Sequence, residues 1–141
     1  MNDLERAIAL AVDAHAGQTD KAGATYIRHP LRVMRHMETP QERVVAMLHD
    51  VVEDTEYTPA MIEDEFDEEI RDAVEALTKR DGESYSDFVE RAAANDLARK
   101  VKIADIEDNM DLTRLSEVSE KTVERQVKYH KARQQLRDKD N

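Results

Sequence analysis

The chain has no cysteine, no tryptophan, two phenylalanines, three glycines and three prolines among its 141 residues. The missing cysteine excludes disulfides, thiol nucleophiles and Cys-ligated zinc together, and it suits a reducing cytoplasm. Long apolar runs are missing as well. The longest early one, Ala7 to Val12, is far short of the roughly 20 residues that span a bilayer. It follows Asp3 and Glu5 instead of a basic segment, so neither a membrane span nor a signal peptide is expected. Basic charge is also in deficit. Thirty-two acidic residues outnumber 21 Lys and Arg, for a formal net charge of -11. Such a field repels phosphate polymers and argues against a DNA- or RNA-coating role. One small anionic ligand is still admissible, because a bound divalent cation reverses the field locally.

What is present is helical. Charged residues make up 38% of the chain, a level that would suit disorder, but apolar residues recur at helical spacing throughout. No stretch shows the two-residue alternation of a strand. A chain this long buries about two-thirds of its extended surface without a staple. The expectation is one all-α domain over residues 1–141, a bundle of about six to eight helices without linker or repeat. Gly17 and Gly23 bracket a loop between the first helix and Pro30, and no Gly or Pro follows Glu83. Helices are expected over 3–16, after Pro30, from Pro40 through Val52, over 59–66, 67–79, 84–95 and 96–112, and from Ser119 to about Arg137.

Charge is unevenly placed. From Val44 to Ile70 there are ten acids and no Lys or Arg, whereas Lys121 to Asn141 carries seven bases against three acids. Either the basic last helix, about residues 119–137, pairs with that acidic flank, or it docks a partner.

Chemistry concentrates in Ala46-Met-Leu-His-Asp-Val-Val-Glu-Asp54. His49 and Asp50 interrupt an apolar run, where an unpaired polar group costs several kcal/mol. On one continuous helix His49, Asp50, Glu53 and Asp54 share an edge, which is either a solvated stripe or a site. His29 and Asp105 interrupt apolar neighbours in the same way. Each alone reads as a hydrogen-bonded core residue or an ion-pair partner. Together, two His and two Asp make a nitrogen-and-oxygen shell without sulfur, suited to Mn²⁺, Fe²⁺, Zn²⁺ or Mg²⁺.

The pieces Ala14-His-Ala-Gly-Gln18, Tyr26-Ile-Arg-His-Pro30, Leu48-His-Asp-Val-Val-Glu-Asp-Thr55, Leu77-Thr-Lys79 and Lys102-Ile-Ala-Asp105 with Asn109 occur in that order. With them the chain resembles the HD-domain metal-dependent phosphohydrolases, and more narrowly the small alarmone hydrolases and the hydrolase domain of the bifunctional alarmone synthetase–hydrolases. The resemblance implies one metal, usually Mn²⁺, held by His29, His49, Asp50 and Asp105. It implies that Glu53 and Asp54 manage the protons of the attacking water and the leaving group, and that Lys21 and Asn109 contact substrate. The implied reaction releases pyrophosphate from the ribose 3′ position of guanosine tetra- or pentaphosphate. With no room for a synthetase domain, hydrolysis alone is expected.

Two departures bear on the substrate. Gln18-Thr-Asp-Lys21 places Asp20 where the family has arginine, and Asn109-Met-Asp-Leu112 places Asp111 and Leu112 where it has arginine and threonine. An aspartate neither stacks on a base nor pairs with phosphate. Another nucleotide or small phosphoester is therefore the alternative substrate, and a nucleotide-binding module without turnover the alternative function. The oligomeric state stays open.

Overall fold

Side-chain caps start most of the helices. Asn2 and Thr39 form capping boxes with Glu5 and Glu42, and Thr58, Asp67, Ser84 and Asn95 each accept from a backbone N–H three residues on. Each cap satisfies donors that the first helical turn leaves unpaired. The computed structural model describes residues 1–140. Among them it holds α1 (Asp3–Ala14), α2 (Arg28–Arg35), α3 (Pro40–Leu48), α4 (Val51–Asp54), α5 (Pro59–Glu65), α6 (Glu68–Ala76), α7 (Tyr85–Ala93), α8 (Asp96–Asn109), a 3-10 turn (Leu112–Arg114) and α9 (Glu120–Asp140). The only β pairing among the described residues is an isolated bridge between Thr19 and Thr25. The chain is an all-α bundle.

Three expectations change. Helix α2 begins at Arg28, ahead of Pro30, and Pro30 still falls in the first turn, where no N–H has an intrahelical acceptor. The helix from Pro40 does not run through Val52: it stops at Leu48, and the chain resumes as α4 after Asp50, whose φ of -106° and ψ of 0° leave the helical well. Counting α3 and α4 as one broken helix brings nine α-helices to the expected upper figure of eight. Third, α9 lies on α7 and α8, joined by ion pairs from Arg133 to Glu107 and from Lys139 to Glu90. The acidic flank over 44–70 is not what these bases meet.

Two apolar clusters hold the bundle, and α8 belongs to both. Val101 and Ala104 pack with residues of α1, α2, α3 and α6. Ile106 packs instead with Val89, Ala93, Ala132 and Leu136 from α7 and α9. Asp105 stands between these two apolar positions. Helix α3 is buried over Val44–Leu48 and presses His49 into the centre of the molecule. Between α1 and α2, the loop reverses through Gly17 and Gly23, both at positive φ, where a side chain would be strained.

Candidate metal centre

Four donor atoms from three parts of the chain converge beside α8. His29 Nε2 lies 2.8 Å from Asp105 Oδ1, and His49 Nε2 lies 3.4 Å from that same oxygen. Asp50 Oδ2 lies 3.1 Å from His49 Nε2 and 4.0 Å from His29 Nε2, and the two ring nitrogens are 3.3 Å apart. His29, His49 and Asp105 are buried. His49 and Asp50 sit at the break between α3 and α4, where Asp50 takes φ of -106° and ψ of 0°.

The donor set suits a divalent ion. Ligands about 2.1 Å from a shared ion stand about 3.0–3.4 Å apart in octahedral or tetrahedral arrangements, close to the spacings found here. Electrostatics agree. Burial pushes both imidazoles down, but Asp105 and Asp108 hold His29 above its ordinary range, and Asp50 and Asp105 raise His49 well above its own. The carboxylates of Asp50 and Asp105 thus favour positive charge between them. His29, His49 and Asp105 form a group able to hold a metal, with Asp50 adjoining.

Each donor is braced from behind. His49 Nδ1 donates to the Ala46 carbonyl at 2.6 Å, which leaves Nε2 facing the cluster. Lys102 Nζ, 4.7 Å above the Phe88 ring, holds Asp105 Oδ2 at 3.0 Å, so Asp105 Oδ1 is turned inward. The Tyr26 hydroxyl donates to Asp50 Oδ2. His29 Nδ1 donates to Asp108 Oδ2 at 2.6 Å, and Arg32 grips Asp108 with Nε at 2.8 Å and Nη2 at 3.1 Å.

His29, Asp50 and Asp105 line a cavity of about 640 Å³, and His49 is buried against them. Glu53, Asp54, Lys21 and Asn109 also line it. Glu53 Oε1 accepts from the Lys79 backbone N–H at 2.7 Å, tying the loop after α6 to the cavity edge. The Asp54 carboxyl is pushed up to about 6, first by desolvation in the cleft and then by the charges of Asp50 and Glu53. Asn109 Nδ2 donates to Asp105 Oδ1 at 3.3 Å. Helix α9 supplies Arg125, Lys128 and Tyr129 to the wall opposite. Burial first, then the like charges of Arg125 and Lys128, lower the Lys21 amine. Among the described residues, no ion pair joins a carboxylate to Lys21, Arg125 or Lys128.

The unexpected acids prove to be turn formers. Asp20 Oδ1 accepts from the Ala22 and Ala24 N–H groups, both at 2.9 Å. Asp111 accepts from Thr113 N and Oγ1 and pairs with Arg114 at 3.0 Å. The roles of Asp108, Arg32, Lys102 and Tyr26, and the aim of Arg125 and Lys128 at the cavity, were not anticipated. Usable signals were the three-residue step from Asp105 to Asp108 on one helix and the presence of Tyr26 and Lys102 in the pieces that carry the resemblance.

Similarity to known proteins follows the same outline. The chain is 37% identical over 109 residues to the bifunctional (p)ppGpp synthase/hydrolase SpoT of Escherichia coli K12, which covers 74% of this chain and 15% of that protein. It is 39% identical over 94 residues to a probable guanosine-3′,5′-bis(diphosphate) 3′-pyrophosphohydrolase of Synechocystis, covering 64% of this chain and 12% of that one. The chain therefore spans about one-seventh of the length of the curated relatives it matches. Among solved structures, a metazoan ortholog of SpoT described as hydrolysing ppGpp superposes with a TM-score of 0.79 at 21% identity, over 96% of this chain and 85% of that one. That likeness concerns the fold. The family model for the HD domain matches residues 7–136, and the chain belongs to the HD domain family.

Proposed function

We propose that this chain is a single HD-type domain over 1–141 acting as a metal-dependent phosphohydrolase. Its most favoured reaction is release of pyrophosphate from the 3′ position of guanosine tetra- or pentaphosphate. The observation that carries the reading is one cavity lined by His29, Asp50 and Asp105, with buried His49 against them, and by cations that form no ion pair among the described residues, Lys21, Arg125 and Lys128 among them. Relatives named as guanosine-3′,5′-bis(diphosphate) 3′-pyrophosphohydrolases support the substrate. His29, His49, Asp50 and Asp105 would hold one divalent ion, Mn²⁺ first and Fe²⁺, Zn²⁺ or Mg²⁺ as alternatives. When bound, such an ion supplies Lewis acidity, neutralising phosphoryl charge and making water more acidic.

The chain's own residues do the rest. Glu53 takes the proton of the attacking water as general base, while its Oε1 stays tied to the Lys79 N–H. Asp54, with its carboxyl pushed up to about 6, returns a proton to the leaving ribose oxygen. Lys21, Arg125 and Lys128 meet the phosphates that the overall charge of -11 would repel. The partner is thus a small phosphorylated nucleotide and not a nucleic acid polymer. Among the described residues no helix is long and apolar enough to cross a membrane, and a cytoplasmic setting suits a cysteine-free hydrolase of such a nucleotide. Because Asp20 and Asp111 fold into their own turns, guanine recognition by arginines at those positions is lost, and another nucleotide or phosphoester is the second reading.

The test is Mn²⁺-dependent pyrophosphate release from guanosine tetraphosphate, beside a panel of nucleoside mono-, di- and triphosphates. Turnover of the tetraphosphate is expected. Activity on the panel alone would replace the substrate and keep the reaction class. Binding without turnover of any nucleotide would favour a regulatory module.

A further inference from the structure

One acidic side chain beside the cluster is built into the centre without joining it. Asp108 lies one helical turn beyond Asp105 on α8, and its side chain is only 9% exposed. Its Oδ2 accepts from His29 Nδ1, and both oxygens accept from Arg32. Arg114 closes the far side, with Nη2 at 2.8 Å from the Asp108 carbonyl and 3.4 Å from Oδ1. Arg32 and Arg114 both line the cavity, yet their guanidiniums are turned onto this carboxylate.

We infer that Asp108 is the positioning residue for His29: it fixes the Nδ1–H tautomer and the ring angle, so that Nε2 presents its lone pair to the ion. The inference rests on the metal site proposed above. An imidazole hydrogen-bonded at one nitrogen has a single rotamer and a more basic second nitrogen, and both raise affinity for a cation. Arg32 holds Asp108 in place through a two-point contact that lysine would not reproduce. The pair is assembled from α2 and α8, 76 residues apart, so it also clamps the helix carrying His29 to the helix carrying Asp105. Arg32 and Arg114 are, on this account, structural cations, and the phosphate-facing charge is left to others on the cavity lining, Lys21, Arg125 and Lys128 among them.

The test measures Mn²⁺ binding alone by calorimetry, with folding followed by circular dichroism. Asp108→Ala is expected to weaken Mn²⁺ binding about 10- to 100-fold. Asp108→Asn, whose carbonyl still accepts from His29 Nδ1, is expected to recover most of that loss. In wild-type protein loaded with Zn²⁺, nitrogen-15 NMR should show His29 protonated at Nδ1 and ligating through Nε2. This measurement decides the matter even where Asp108→Ala does not fold. Wild-type Mn²⁺ affinity in folded Asp108→Ala, an Asn variant as weak as the Ala variant, or ligation through Nδ1 would each overturn the inference. Asp105→Ala separates the two levels. Loss of Mn²⁺ there with none in Asp108→Ala rejects only the positioning role. A wild-type chain that takes up no Mn²⁺ or Zn²⁺ rejects the metal site itself, and the positioning role with it.

Discussion

Replacing Leu136 by alanine separates what anchors α9 from what builds the metal centre. Leu136 is fully buried and packs in the cluster of Val89, Ala93, Ile106 and Ala132, about one turn before the end of α9. Truncation removes three carbons, about 2.4 kcal/mol at about 0.8 kcal/mol for each buried methylene. A residual cavity adds to this, and Leu→Ala changes in rigid cores reach about 5 kcal/mol. Close to a helix end the chain relaxes into part of the space, so the expected loss is about 2–3 kcal/mol. For a domain of this size that lowers Tm by about 7–10 °C. The four converging donors sit on α2, at the α3–α4 break and on α8, so Mn²⁺ affinity should hold. Substrate KM should rise, because α9 carries Arg125 and Lys128. Thermal melts and Mn²⁺ titration of one preparation check both halves. A Tm fall below about 2 °C would refute the packing account, and Mn²⁺ affinity falling along with Tm would refute the separation of anchor from centre.

Two further outcomes are expected. Glu53→Gln keeps an acceptor for the Lys79 N–H but cannot take a proton, so Mn²⁺ binding and Tm should persist while kcat falls at least about 100-fold; near-wild-type kcat would exclude Glu53 as the base. Glu83 is held down to about 2 by the Arg91 guanidinium and then the Arg80 N–H. A depressed carboxylate contributes stability above its unfolded value, lost as pH falls from about 4.5 toward 2. Glu83→Gln should therefore lower Tm at neutral pH and flatten its decline across that acid window. A decline as steep as wild type would remove the Glu83–Arg91 pair from the account.

Much of the fold was legible because helix ends are local. Thr58-Pro59 and Asp67 announce starts through bonds spanning three residues, whereas the sequence left Ser84 or Ser86 open for α7, which Ser84 caps, and pointed to Asp96 for α8, where Asn95 is the cap. The break at His49–Asp50 was not legible. Neither Gly nor Pro marks it, and the apolar spacing of Val44 to Val52 suits an unbroken helix equally well. The partners that the two residues meet at the break, His29 and Asp105, are 20 and 56 positions from His49 in the chain.

The same division runs through the centre. Sequence alone determined the residue types: two His and two Asp among apolar neighbours, an acidic pair after them, and no sulfur. It could do so because buried polar groups are too costly to occur without partners. Which partners they take was decided only by tertiary structure. Asp108 meets His29 and Arg32 across 79 and 76 residues, and Lys102 turns Asp105 inward. Arg125 and Lys128 line the cavity instead of pairing with the acidic flank. Asp20 and Asp111, alarming as charges in a sequence, become turn acceptors once the loop closes around them. Composition counts charge, whereas the fold assigns each charge a neighbour, and at short range the neighbour determines its effect.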